Sequence, residues 1–296
     1  MEPLLEAVGV LKAFSAGGGH QVRALRGVSL AVREGESVGL VGETGSGKTT
    51  LAKVLLGLIR ADGGSVRMRG KAFESMTAAE RKGFRRSFQM VFQHPLASLD
   101  PHFTVEEALL EPLLVHGIPG PERPERVHRV LTAVGLLPEV LGKVPHQLSG
   151  GQRQRVAIAR GLGLDPSVLV LDEPVSALDL SVQAQVLHLL ADLKAERGLT
   201  FLLVSHDMGV VEFLCDRVAV MFRGVVVEEA PVRELLDRPL HPYTRRLLSA
   251  RLPSAPGASP SAREEAEEEI PVWENQPALI EAGPGHRVAP EPPTRG

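Results

Sequence analysis

Apolar positions along the first 250 or so residues follow two alternating regimes. Ser37 to Val41, Val168-Leu169-Val170-Leu171 and Phe201-Leu202-Leu203-Val204 are short continuous apolar runs. Runs of that length suit strands of a parallel sheet covered on both faces. Between such runs the period lengthens: Leu51, Val54, Leu55 and Leu58 recur at i, i+3, i+4 and i+7, predicting a helix over Thr50 to Ile59 with one buried face. Val218 to Met221 and Val225 to Val227, on either side of Arg223-Gly224, predict a hairpin added at a sheet edge. Strands alternating with helices define an α/β protein.

The alternation breaks twice. Between about Pro95 and Pro145 the strand pattern disappears, leaving helical periodicity punctuated by Pro, Gly and His. This predicts an inserted helical subdomain, about residues 95–160, within a main domain of residues 1–252. From about Pro253 the chain turns to Pro, Ala, Ser and Glu, with the acidic run Glu264-Glu265-Ala266-Glu267-Glu268-Glu269. That composition cannot bury enough apolar surface to fold, so 253–269 is expected to be a disordered linker. Residues 270–296 are expected to form a short appendage, docking back through Ile270, Val272, Trp273, Leu279 and Ile280. No internal repeat is present.

At 43% hydrophobic and 23% charged, the 296 residues have ordinary globular composition. The net charge of −3 calls for no nucleic-acid partner. The basic pairs Arg81-Lys82 and Arg85-Arg86 read as a solvated helix face. Cys215 is the single cysteine, which excludes an intrachain disulfide and a cysteine metal cage and fits a reducing compartment. The opening Met1-Glu2-Pro3, acidic rather than basic, is not expected to begin a secretory leader. No apolar run approaches the ~20 residues of a membrane-spanning helix, so membrane association is expected to come through a partner.

Three segments carry chemistry. Gly42-Glu43-Thr44-Gly45-Ser46-Gly47-Lys48-Thr49, followed by Thr50, fits G-x-x-x-x-G-K-[ST] between a predicted strand and a predicted helix. Its glycines let successive N–H groups cradle phosphate oxygens, and the helix start adds its dipole. Lys48 is placed to reach the β and γ phosphates and Thr49 to ligate Mg²⁺. At the end of the apolar run 168–171, Asp172-Glu173-Pro174 sets two carboxylates where open α/β sheets hold their ligands. Asp172 suits Mg²⁺, through water, and Glu173 suits orienting or deprotonating an attacking water.

The third segment is Leu148-Ser149-Gly150-Gly151-Gln152, followed by Arg153-Gln154-Arg155. Ser149 can cap the helix beginning there, and the two glycines expose its first N–H groups. This makes a second anion site that the first does not need. We read it as serving the γ-phosphate of an ATP held by another subunit.

LSGGQ, with the phosphate loop and Leu171-Asp172-Glu173-Pro174, resembles the nucleotide-binding domain of ABC transporters over about residues 4–250. The resemblance implies a P-loop NTPase core with a mixed, mostly parallel sheet, an N-terminal antiparallel β subdomain and the inserted helical subdomain. It implies ATP and Mg²⁺ as cofactors. It also implies that Gln93 is the Q-loop glutamine sensing Mg²⁺, Asp179 in Ser176-Ala177-Leu178-Asp179 the D-loop residue at a dimer interface, and His206 the switch histidine on the γ-phosphate. Phe14, from position alone, is either the adenine stacker or a plain core residue. His94, His102, His116, His128, His146, His188 and His241 show no metal-ligand spacing.

The stretch Met90 to Pro101, the sequences Glu173 to Asp179 and Ser181 to Gln185, and His241-Pro242-Tyr243-Thr244 with Leu247-Leu248 narrow the resemblance. They resemble the dipeptide, oligopeptide and nickel importers. That implies an ATPase coupled to peptide uptake, with a paralogous second ATPase, two membrane permease subunits and an extracytoplasmic substrate-binding protein. It implies a peripheral position on the cytoplasmic face of the cell membrane. Many members carry a cysteine cluster for an iron–sulfur centre in a C-terminal extension; with Cys215 alone, this chain departs from them. The rival readings are a soluble ABC ATPase acting on ribosomes or nucleic acid, and an importer for nickel or another solute. Against the first stand the single cassette and the missing basic stripe.

Overall fold

The computed structural model describes residues 2–16, 20–93, 99–249 and 272–290. The linker expected at 253–269 lies outside them, as do 94–98 of the Q-loop stretch and both ends of the expected appendage. The chain divides into two compact units. One holds residues 1–32, 38–74 and 205–296, the other 33–37 and 75–204.

The first unit begins with a long antiparallel hairpin. Strand β1 (Leu5–Ala16) pairs with β2 (His20–Val32), from Leu5 opposite Val32 to Ala16 opposite His20. Strand β3 (Ser37–Val41) is buried at every position, as its continuous apolar run predicts. Beyond the phosphate loop comes the helix Lys48–Leu55, which starts and stops earlier than its periodicity indicates. Gly57 sits at φ +64° just past its end, and Leu58, expected on the buried face, is 55% exposed. Strands β4 (Gly63–Met68) and β5 (Lys71–Ala72) complete an antiparallel sheet of order β2-β1-β4-β5.

The second unit carries the helices of the segment 78–162. Three of its helices open on capping boxes, in which the cap hydroxyl accepts the third N–H and that residue's side chain accepts the cap N–H in return. They are Thr77–Glu80 before the helix Ala78–Ser87, Thr104–Glu107 before Val105–Val115, and Ser149–Gln152 before Gly150–Leu162. Arg85 and Arg86 lie exposed on the first of these. Arg160 pairs with Glu111 at 2.7 Å, and Arg155 donates to the Val134 carbonyl at 2.8 Å, tying the third helix to its helical neighbours. Strands β6 (Phe88–Val91), β7 (Val168–Asp172) and β8 (Thr200–Ser205) are parallel, in the order β8-β7-β6. The helix Leu180–Arg197 connects β7 to β8, a parallel crossover of the expected kind.

The chain then returns to the first unit. Strands β9 (Arg217–Phe222) and β10 (Val225–Pro231) form the expected hairpin. Arg223 and Gly224, at φ +46° and +87°, give the doubly left-handed turn that tight hairpins favour. The hairpin does not end the sheet. Strand β9 runs parallel to β3, and β10 is covered by β12 (His286–Val288), itself paired with β11 (Ile280–Gly283). The order in this unit is β11-β12-β10-β9-β3. Polar contacts carry much of this covering. Gln276 gives both amide atoms to Val226, each at 2.7 Å, its N–H reaches the Arg26 carbonyl at 2.6 Å, and Arg287 pairs with Glu229. Of the apolar residues expected to anchor it, Trp273 is buried and Ile280 is 55% exposed.

Candidate functional site

In the first unit the phosphate loop leaves β3 and enters the helix Lys48–Leu55. Gly47 is the helix N-cap in the left-handed region, φ +105°. A Cβ there would lie 2.5 Å from the Ala24 carbonyl oxygen, so no side chain fits. Gly47 brings no capping side chain to the helix start, a geometry suited to an anion. Lys48 is 6% exposed, and its ammonium donates to the carbonyls of Gly42 at 2.6 Å and Glu43 at 2.9 Å. Its charge is thus held over the loop's own backbone. Ser46 is buried, Thr49 and Thr50 half-buried, and Glu43, Thr44 and Gly45 exposed.

Two more expected residues belong to this unit. Phe14, on β1 opposite Val22, is 41% exposed, with the Lys12 ammonium 5.4 Å from its ring centre. It is no core residue. His206 is exposed and directly follows β8. Its neighbours are fixed: the Asp207 N–H donates to the Ser205 hydroxyl at 2.9 Å, and the Asp207 carboxylate takes the Gly209 N–H at 2.7 Å to cap the helix Met208–Leu214.

In the second unit Asp172 ends β7, 3% exposed and in register with Val204. Glu173 follows at φ +47°, unusual for a glutamate and of order 1 kcal/mol in strain. Its N–H donates to the Val204 carbonyl at 2.9 Å, and its carboxylate accepts Gln93 Nε2 at 2.7 Å. Two residues that the sequence separates widely therefore meet at the end of β7.

The signature is built on the same unit. The Ser149 hydroxyl accepts the Gln152 N–H at 3.2 Å, and Gln152 accepts the Ser149 N–H at 3.0 Å. A Cβ on Gly151 would meet Val182 Cγ1 at 2.5 Å. Val182 lies in the first turn of the helix Leu180–Arg197, capped by Asp179, which accepts the Val182 N–H at 3.0 Å and the Ser181 hydroxyl at 2.7 Å. Those bonds, the Ser181 one first, hold the Asp179 carboxyl below its ordinary pKa. Gly151 thus brings the signature helix start against the Asp179 helix start. Ser149 and Asp179 are exposed and Gly150 is half-buried.

One contact was not foreseen. Tyr243, of the His241-Pro242-Tyr243-Thr244 segment, accepts the Glu43 N–H on its hydroxyl at 2.8 Å, and Arg246 pairs with the Glu43 carboxylate at 3.0 Å. The motif was visible in the sequence, but nothing local indicated a partner 200 positions away.

A glycine-rich strand–loop–helix in one unit, and a carboxylate pair at a strand end and a serine-capped helix start in the other, are features expected of an ATP-binding cassette. The chain belongs to the ABC transporter family, whose model matches residues 25–176. It is 46% identical over 250 residues to a putative oligopeptide transport ATP-binding protein, YkfD, of Bacillus subtilis, covering 84% of this chain and 76% of that one. It is 41% identical over 302 residues to the glutathione import ATP-binding protein GsiA of Shigella dysenteriae, covering 97% of this chain. The chain spans about half, 48%, of the length of that relative. Among solved structures it resembles the ATP-binding cassette MJ0796 in a dimeric post-hydrolysis state bound to ADP and Pi. That match has a TM-score of 0.69 and 32% identity, and covers 77% of this chain and 99% of that one. No described helix is long and apolar enough to cross a membrane.

Proposed function

We propose that the chain is the ATP-hydrolysing subunit of an importer, coupling MgATP turnover to peptide uptake through membrane permeases. The observation that carries this reading is the presence in one chain of two glycine-bearing helix starts, at Gly47–Lys48 and at Ser149–Gly150, each suited to an anion where one phosphate group needs only one. The second is accounted for if it completes a site on another chain. The reading is supported by the similarity to relatives named for oligopeptide transport and glutathione import.

In this account the loop 42–49 with Thr50 grips the phosphates, Lys48 neutralises the β and γ groups, and Phe14 stacks on adenine. Thr49 and Gln93, with Asp172 through water, would supply the hard oxygen donors that Mg²⁺ takes. Because Gln93 Nε2 is engaged by Glu173, its amide oxygen is the atom it has for a cation. Bound with ATP, Mg²⁺ supplies charge neutralisation on the phosphate oxygens. Glu173 orients and deprotonates the attacking water, and His206 hydrogen-bonds the γ-phosphate. Ser149, Gly150, Gly151 and Gln152 present the signature to the partner's nucleotide, with Asp179 beside them. Phosphoryl transfer needs mainly positioning and charge stabilisation, which these groups provide.

The partners are a paralogous second ATPase, two permease subunits and an extracytoplasmic binding protein, with the chain peripheral on the cytoplasmic membrane face. Residues 1–252 form the cassette, with 95–160 as its helical subdomain; 253–269 link it to the appendage 270–296. Co-expression with the neighbouring membrane subunits tests this. A co-purifying membrane complex whose ATPase responds to a peptide-loaded binding protein supports it. A chain that leaves the membrane proteins behind and is stimulated by ribosomes or DNA refutes it.

A further inference from the structure

We propose that Tyr243 is a positioning residue for the phosphate loop, setting through the Glu43 N–H the loop conformation that receives phosphate. The inference rests on reading 42–49 as that loop. A peptide bond is planar, and this chain has no cis bond among the described residues, so the Gly42 carbonyl and the Glu43 N–H point in opposite directions from one rigid unit. Tyr243 Oη takes the N–H end at 2.8 Å, and Lys48 Nζ takes the carbonyl end at 2.6 Å. Fixing one end fixes the other. The tyrosine hydroxyl therefore sets the orientation of the carbonyl that grips the phosphate-binding lysine.

The tyrosine is itself immobilised. It is fully buried, and its ring packs on Phe222 with centroids 4.4 Å apart, at the end of β9. Strand β9 pairs in parallel with β3, the strand that delivers the loop. Pro242 opens the helix that carries Tyr243, with the φ such a position wants. The Tyr243 N–H donates to His241 Nδ1 at 3.1 Å. Just before it, the buried Glu228 carboxylate accepts the Leu240 N–H at 2.8 Å, the His241 N–H at 3.0 Å and a hydrogen bond from His286 Nε2 at 2.7 Å. One line of hydrogen bonds thus runs from β12 through Glu228 and the His241–Thr244 segment to the loop. Arg246 touches the same residue from outside, through an exposed pair with the Glu43 carboxylate.

The test is Tyr243→Phe, which keeps the ring and removes the acceptor. Three quantities are read beside wild type and Arg246→Ala: the MgATP dissociation constant, kcat against KM in the assembled complex, and amide exchange of the peptide spanning 42–49. Losing this part-buried hydrogen bond predicts about threefold to tenfold weaker binding and a matching rise in KM. It also predicts faster exchange in that peptide, with kcat at saturation within about twofold. Arg246→Ala should change binding less than Tyr243→Phe. A variant with lower thermal stability but unchanged binding and exchange would show a purely structural tyrosine and overturn the inference. So would an Arg246→Ala effect as large as that of Tyr243→Phe. A wild-type chain that binds no MgATP refutes the phosphate-loop reading itself, whereas equal binding by wild type and Tyr243→Phe refutes only the role of Tyr243.

Discussion

Gln93 Nε2 donates to the Glu173 carboxylate at 2.7 Å, joining residues 80 positions apart in the chain. Glu173 holds a left-handed backbone, φ +47°, and is pinned through its N–H to Val204. A strained residue at a strand end, addressed by a side-chain amide, supports the catalytic role proposed for Glu173. Glu173→Gln should therefore keep MgATP binding near wild type while lowering kcat by about 10²–10⁴, the usual worth of a general base. Light scattering of the ATP-loaded variant should show a persistent closed dimer. Near-normal turnover would remove Glu173 from its role.

The close approach at Gly151 gives a prediction with a built-in rescue. Gly151→Ala puts a Cβ 2.5 Å from Val182 Cγ1, so one helix start must shift. Overpacking of this kind costs about 1–3 kcal/mol, visible as a lower urea midpoint. Val182→Ala in the same chain should restore most of that loss. Additive destabilisation in the double variant would mean that the two residues do not press on each other.

Ser149→Ala removes a cap whose hydroxyl takes the Gln152 N–H. Stability should fall by about 1 kcal/mol, the ordinary value of an N-cap. If the serine also faces a partner's nucleotide, ATP hydrolysis by the assembled complex should fall far more than that. MgATP binding to the isolated chain should stay unchanged. Turnover that falls only in proportion to folded protein would leave Ser149 as a cap and nothing more.

Stability should also depend on pH through His241. Burial pushes its pKa down to about 4, with the Glu228 carboxylate opposing and Arg245 adding to the fall. The geometry agrees, since Nδ1 accepts the Tyr243 N–H and must be unprotonated to do so. The folded state therefore resists a proton that the unfolded chain accepts near the ordinary histidine value of about 6.5. The contribution is complete above that value and is lost as pH falls towards about 4, in all about 3 kcal/mol. Denaturation midpoints measured from pH 7 to pH 5 should drop with a slope that His241→Asn flattens. Equal slopes in both proteins would contradict the assignment.

What the sequence made legible was whatever apolar periodicity or a short motif could encode. The runs at 37–41, 168–171 and 201–204 are strands with nearly those limits, because burial on both faces leaves no polar residue to blur them. Periodicity places the helix after the loop at 50 to 59, yet it runs from Lys48 to Leu55. Leu58 kept the period without being buried, and two left-handed glycines, Gly47 and Gly57, set the limits instead. The hairpin at 217–231 was legible, but not the strand that covers it. That strand is attached largely by Gln276, His286 and Arg287, and hydrophobic pattern says nothing about polar partners. The loop, the strand-end acids and the signature were found as motifs. The contacts Gln93–Glu173 and Tyr243–Glu43 were not, since each joins segments that only the folded chain brings together.

The most direct measurement is steady-state MgATP hydrolysis by the chain assembled with its co-expressed cassette and membrane partners, with and without a peptide-loaded binding protein. The account predicts turnover that rises with the loaded binding protein and collapses in the Glu173→Gln complex. Turnover indifferent to the binding protein, or surviving that substitution, would contradict it.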